Sequence, residues 1–210
     1  QIGVQDLPRA LAAAVRDQFL APADRPGWFA VRPPMFEQAV RDEPAPGQPA
    51  RGVAVIAHPH PLFGGTMDNK VVQTLARAFT QCGWSAVRFN FRGVGASAGV
   101  HDEGHGETDD LLEVLRQVAP TGPLALAGFS FGSFVASRAL AALWDARPVE
   151  KIVLVGTAAA RFDVAGLPLD AHPRALVIHG EQDDTVPLAA VFDWARPQSL
   201  PVTVIPGGSH

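Results

Sequence analysis

From residue 52 onward two patterns alternate along the chain. Short β-branched or apolar runs at 52–57, 85–91, 123–127, 151–155, 175–178 and 201–205 are separated by helical periodicity at 71–81, 108–118, 134–143 and 188–195. Such alternation requires right-handed crossovers, which set helices on both faces of a parallel sheet. The expected fold class is therefore α/β, a three-layer sandwich around a mostly parallel central sheet. With 210 residues, 47% of them hydrophobic, the chain suffices for one well-buried domain and is short for two, so 1–210 is read as a single domain. Residues 43–52, rich in Pro and Gly, read as a loop. Before them, 7–19 has amphipathic helical spacing and 28–40 is read as an early strand.

In an open parallel sheet, ligands bind beyond the carboxyl ends of the strands. The residues at those ends are HPHPLFGG at 58–65, RGVGAS at 92–97, Ser130, GTAAARFD at 156–163, HGEQDDTVP at 179–187 and GGSH at 207–210. Ser130 lies in AGFSFGS, between a strand-like and a helix-like stretch, with Gly128 and Gly132 just outside its two phenylalanine neighbours. A serine on a sharp strand-to-helix turn must accept a strained backbone, and the small neighbours make room for it. The helix that follows supplies free N–H groups beside the hydroxyl, where a negative tetrahedral intermediate is stabilised. A plain turn serine is the bland alternative, and the strand–turn–helix context favours a nucleophile.

A hydroxyl needs a general base, and the base needs an acid to fix its tautomer. The expected chain order is serine, acid, histidine. Asp183 follows the 175–178 run, and His210 follows the last run. Asp184 competes for the acid role; Asp183 also reads as a turn or cap residue, and His210 as an unanchored terminal histidine.

With these positions assembled, the chain from about residue 51 resembles the α/β-hydrolase superfamily. HPHPLFGGTMDNKVV at 58–72, FNFRGVGAS at 89–97, GFSFG at 128–132 and HGEQDDTVP at 179–187 are similar to a bacterial branch of small uncharacterised hydrolases related to dienelactone hydrolases and carboxylesterases. The resemblance implies the α/β-hydrolase fold and a Ser130–Asp183–His210 triad. The acid is carried over to the Asp of G-x-x-D-x-x-V, here Gly180, Asp183 and Val186; no cofactor and no metal is implied. It also implies an oxyanion hole built from the Phe131 N–H and from the 58–63 loop. Pro59 and Pro61 have no N–H to offer, which leaves His60 first and Leu62 second. The family normally continues into a helix after the histidine, whereas this chain stops at His210, so either the chain is trimmed or the base hangs from an unanchored end.

Other chemistries use the same residues. His58 and His60, with His101, Asp102, Glu103 and His105, read as metal ligands only if His-x-His continues with Asp-His; here Pro61 and Leu62 follow. The HDEGH stretch at 101–105 is instead read as an exposed polar loop. Gly93, Gly95 and Gly99 have the wrong spacing for a dinucleotide fingerprint and are read as a turn held by Arg92. A binding module in which Ser130 is a relic uses the same fold without catalysis.

The functional expectation is a carboxylesterase-like serine hydrolase that cleaves small acyl esters through an acyl-enzyme. Only a short stretch lies between 155 and 174, so little or no lid is expected, and Phe63, Phe129, Phe131 and Phe162 should line an open apolar site. A net charge of −4 without a basic stripe argues against nucleic acid and anionic membranes. No apolar run approaches the ~18 residues of a membrane span. The single cysteine, Cys82, excludes an internal disulfide framework and fits a reducing compartment, hence a cytoplasmic expectation, although a chain starting at Gln1 leaves a lost leader open. A small-molecule acyl substrate is the expected partner, with a homodimer left open.

Overall fold

In the computed structural model, which describes residues 27–28 and 39–210, the apolar runs pair into one sheet. Its strands are β1 (Gly27–Trp28), β2 (Ala39–Asp42), β3 (Val53–Ala57), β4 (Ser85–Phe89), β5 (Leu124–Phe129), β6 (Lys151–Val155), β7 (Ala175–Gly180) and β8 (Val202–Ile205). Among the described residues the order is β1-β2-β4-β3-β5-β6-β7-β8. β2 runs antiparallel to β1 and β4, and every other neighbouring pair is parallel. The α-helices are α1 (Lys70–Gln81), α2 (His105–Val118), α3 (Phe131–Leu143) and α4 (Leu188–Ala195).

Successive strand residues point to opposite faces, and here both faces are apolar. Val55, Leu126 and Leu154 belong to one buried cluster with side chains of α2 and α3, while Ile56, Ala127 and Val153 belong to another with side chains of α1. That is the three-layer arrangement expected from the alternation. In α1, Val72, Leu75, Ala76 and Phe79 form the buried stripe. Asn69 caps this helix by accepting the Val71 N–H at 2.9 Å. Each fully buried Val, Leu, Ile or Phe contributes roughly 1.5–3 kcal/mol, so the two clusters supply most of what holds the layers together.

The differences from the sequence reading fall at element ends. β5 runs to Phe129 rather than 127, because Gly128 stays in the ladder opposite Ala57 and Leu154. β4 stops at Phe89 rather than 91, where Asn90 and Phe91 turn to bond the loops beyond the sheet. α3 starts at Phe131, directly after Ser130, and α2 starts at His105. The early strand read over 28–40 lies largely outside the described residues; of those described, Trp28 in β1 pairs antiparallel with Val40 in β2. The helix read over 7–19 lies outside the described residues. Between β6 and β7 the chain forms only a 3-10 turn, Leu169–Arg174, and nothing there builds a lid. Among the described residues no helix is long and apolar enough to cross a membrane.

Candidate active site

Ser130 joins β5 to α3 with φ 55° and ψ −118°, a conformation that side chains rarely adopt. Holding it costs about 1–3 kcal/mol. The surroundings enforce it. The Ser130 N–H donates to the Val155 carbonyl at 2.8 Å, and Ser133 Oγ lies 2.8 Å from the Gly128 carbonyl. A Cβ on Gly132 would fall 2.2 Å from the Ala57 carbonyl oxygen, and one on Gly128 would fall 2.2 Å from that of Gly132, so only glycine lets the turn close. Phe131 is the first residue of α3, and its N–H has no carbonyl one turn earlier to bond.

His210, which follows β8, reaches Ser130 at the end of β5. Its Nε2 is 2.9 Å from Ser130 Oγ and its Nδ1 is 2.7 Å from Asp183 Oδ2. With Nδ1–H donating to the carboxylate, Nε2 is left to accept from the serine hydroxyl. Asp183 is buried, and its Oδ1 accepts the N–H groups of Thr185 and Val186 at 3.0 and 2.7 Å. Burial pushes this carboxyl up, but the hydrogen bonds from His210 and Val186 outweigh it and hold Asp183 below its ordinary value. His179 adds a further N–H: its Nε2 donates to the Val186 carbonyl at 2.8 Å and lies 3.4 Å from Asp183 Oδ2. Asp184 is exposed and among the described residues its side chain meets only the Thr185 hydroxyl, at 3.4 Å. The His210 segment is tied down: the Gly208 carbonyl accepts the Gln182 N–H at 2.7 Å, and Gly207 donates to Glu181 Oε2 at 2.8 Å. The His210 ring also packs against Phe129, 4.8 Å between centroids.

The loop after β3 closes the site. His60 caps the 3-10 turn Pro61–Phe63, and its Nδ1 accepts the Leu62 N–H at 3.2 Å. Leu62 is 70% exposed and outside the cavity, and its N–H is already bonded, so the second-choice donor is displaced by the turn itself. His60 lines the cavity, and its own N–H donates to no described group. His58 is fully buried: Nε2 accepts the Phe91 N–H at 3.1 Å, and Nδ1 donates to the Pro59 carbonyl at 2.6 Å. Burial lowers its pKa to about 4, so the ring is neutral. Both its nitrogens are engaged by backbone, which argues against His58 as a metal ligand and makes it a tie between the β3 and β4 loops.

A cavity of about 500 Å³ opens over Ser130 and His210, and Phe63, Phe129, Phe131 and Phe162 all line it. The HDEGH stretch is not simply an exposed loop. Its last residue starts α2, and it wraps the fully buried Glu107, whose Oε1 accepts from His101 Nδ1 at 2.7 Å and from the Asp102 N–H at 3.0 Å. The Gly104 N–H donates to Oε2 at 2.8 Å. The sequence reading missed Glu107; its signal is a glutamate three residues after the helix-capping position. Arg92 pins the RGVGAS turn by a fork of bonds to Asp110, the shortest 2.7 Å. Arg161, also passed over, lines the cavity from the segment after β6.

The model of the family described as serine aminopeptidase, S33, matches residues 48–168. The match takes in Ser130 and ends before Asp183. XC6422 from Xanthomonas campestris, described as an α/β serine hydrolase without lid, is 36% identical. The similarity covers 91% of this chain and 88% of that one, with a TM-score of 0.77. An α/β serine hydrolase homologue from Coxiella burnetii is 32% identical over 90% of this chain and 91% of that one, with a TM-score of 0.72. The uncharacterized protein RP471 of Rickettsia prowazekii is 40% identical over 94 residues, 43% of this chain and only 40% of that protein's length.

Proposed function

The chain belongs to the serine aminopeptidase, S33, family within the α/β serine hydrolases, and from that premise we propose that it cleaves small acyl esters through a Ser130–His210–Asp183 triad. The observation that carries the reading is the unbroken line of contacts from Ser130 Oγ through His210 to Asp183, at 2.9 and 2.7 Å. Ser130 Oγ attacks the acyl carbon while His210 Nε2 takes its proton. The developing oxyanion sits between the N–H groups of Phe131 and His60, where fixed donors stabilise the transition state more than the ground state. Asp183 steadies the imidazolium and holds Nδ1–H in place. His210 then protonates the departing alkoxide, and a water activated by the same histidine releases the acid from the acyl-enzyme.

An esterase is favoured over an aminopeptidase by the cavity's chemistry. A peptidase that holds a free N-terminal ammonium needs a carboxylate at its site, and among the described residues no Asp or Glu lines the cavity. The open, aromatic-walled cavity suits a short acyl chain. The test is release of 4-nitrophenol from 4-nitrophenyl butanoate by the wild type and by Ser130→Ala. Turnover that falls by about 10⁴-fold in the variant supports the reading, and equal turnover in both overturns it.

A further inference from the structure

Arg161 sits in the tight segment after β6, and its side chain lines the cavity that holds Ser130 and His210. The backbone there is fixed. The N–H groups of Arg161 and Phe162 both donate to the Ala158 carbonyl, each at 3.1 Å, and the Phe162 ring stacks on Phe134 at 4.8 Å and 15°. The guanidinium has no such restraint: among the described residues it makes no ion pair, side-chain hydrogen bond or ring contact.

Among the described residues no lining carboxylate offsets its charge. Among the described residues the other ionisable groups that line it are His60 and His210, and no Asp or Glu is among them, in a chain whose net charge is −4. Glu107, whose charge reaches His60, is already closed by His101 and by the N–H groups of Asp102 and Gly104. A guanidinium pairs with carboxylates through two parallel N–H···O bonds and repels ammonium groups.

We infer that the substrate's acyl chain ends in a carboxylate that pairs with Arg161, while Phe63 and Phe162 pack on the methylenes between it and the scissile carbonyl. The substrate class is then a monoester of a short dicarboxylic acid. Its hydrolysis consumes one water and releases the dicarboxylate, the alcohol and a proton, with no other reactant. This rests on the hydrolase reading and deepens it.

The experiment follows the rate at which an uncharged fluorophosphonate labels Ser130, alone and with glutarate or uncharged glutaramide at equal millimolar concentrations. The wild type should be protected at least tenfold better by glutarate than by glutaramide. That difference should vanish in Arg161→Gln and return in part in Arg161→Lys, which keeps the charge without the fork. Arg161 is exposed and bonds no other side chain among the described residues, so these variants should fold. Equal protection by the two compounds, or a glutarate preference that survives in Arg161→Gln, overturns the inference while leaving the nucleophile standing. No labelling of Ser130 in any variant overturns the hydrolase reading itself, and this inference with it.

Discussion

The Asp183 carboxylate divides its two oxygens: Oδ2 takes His210 Nδ1 at 2.7 Å, and Oδ1 takes the Thr185 and Val186 N–H groups at 3.0 and 2.7 Å. In Asp183→Asn the amide oxygen must stay on the backbone donors, which turns its NH₂ toward His210. The histidine can meet a donor only by carrying its proton on Nε2, facing Ser130, where no acceptor for the serine proton remains. The variant should fold and lose about 10⁴ in kcat/KM on 4-nitrophenyl butanoate, because the tautomer is wrong rather than the geometry. A loss of less than tenfold would separate Asp183 from the chemistry.

His58 makes stability depend on pH. Its folded pKa of about 4 lies below the ordinary 6.5, so above pH 6.5 neither folded nor unfolded chain carries the extra proton. Between those values the unfolded chain binds a proton that the native chain does not, and stability falls as pH falls. His179, also lowered by burial, acts in the same direction. Urea unfolding at pH 7.5 and pH 5 should show that about 2 kcal/mol of the wild-type loss is absent in His58→Gln, although that variant is weaker at both. Parallel losses in the two proteins would mean that His58 titrates normally.

The strain at Ser130 is separable from its chemistry. Ser130→Ala and Ser130→Gly both lack the hydroxyl, yet only glycine adopts φ 55° with ψ −118° freely. The glycine variant should be the more stable of the two by about 1 kcal/mol in thermal unfolding. If alanine is the better tolerated, the turn is not strained.

Glu107 uses both of its oxygens as acceptors, from His101, Asp102 and Gly104. Glu107→Gln must set an NH₂ against one of these donors in a fully buried site. The expected destabilisation is about 2–3 kcal/mol, read from the urea midpoint. A change within 0.5 kcal/mol, roughly what an ordinary surface substitution gives, would show that the buried carboxylate is dispensable.

What the sequence made legible follows from what each feature depends on. The layers could be read because Val55 and Ile56, neighbours on β3, point to opposite faces and are both buried, and such runs are visible one strand at a time. The strained turn at Ser130 was legible because glycines flank it on either side. The bond from the Leu62 N–H to His60 Nδ1 could not be read, because it forms only once Pro61–Phe63 coils into a 3-10 turn. Glu107 and Arg161 were missed for opposite reasons: one is a charge buried by backbone donors, the other a charge left bare at a cavity that exists only after folding.

With His210 Nε2 2.9 Å from its Oγ, Ser130 should be an activated nucleophile with its base in place. Labelling with a fluorophosphonate, followed by peptide mass mapping of the wild type and of Ser130→Ala, tests it most directly. One modified residue, Ser130, is expected in the wild type, and no modification in the variant. An unmodified Ser130, or equal labelling of both proteins at some other residue, would contradict it.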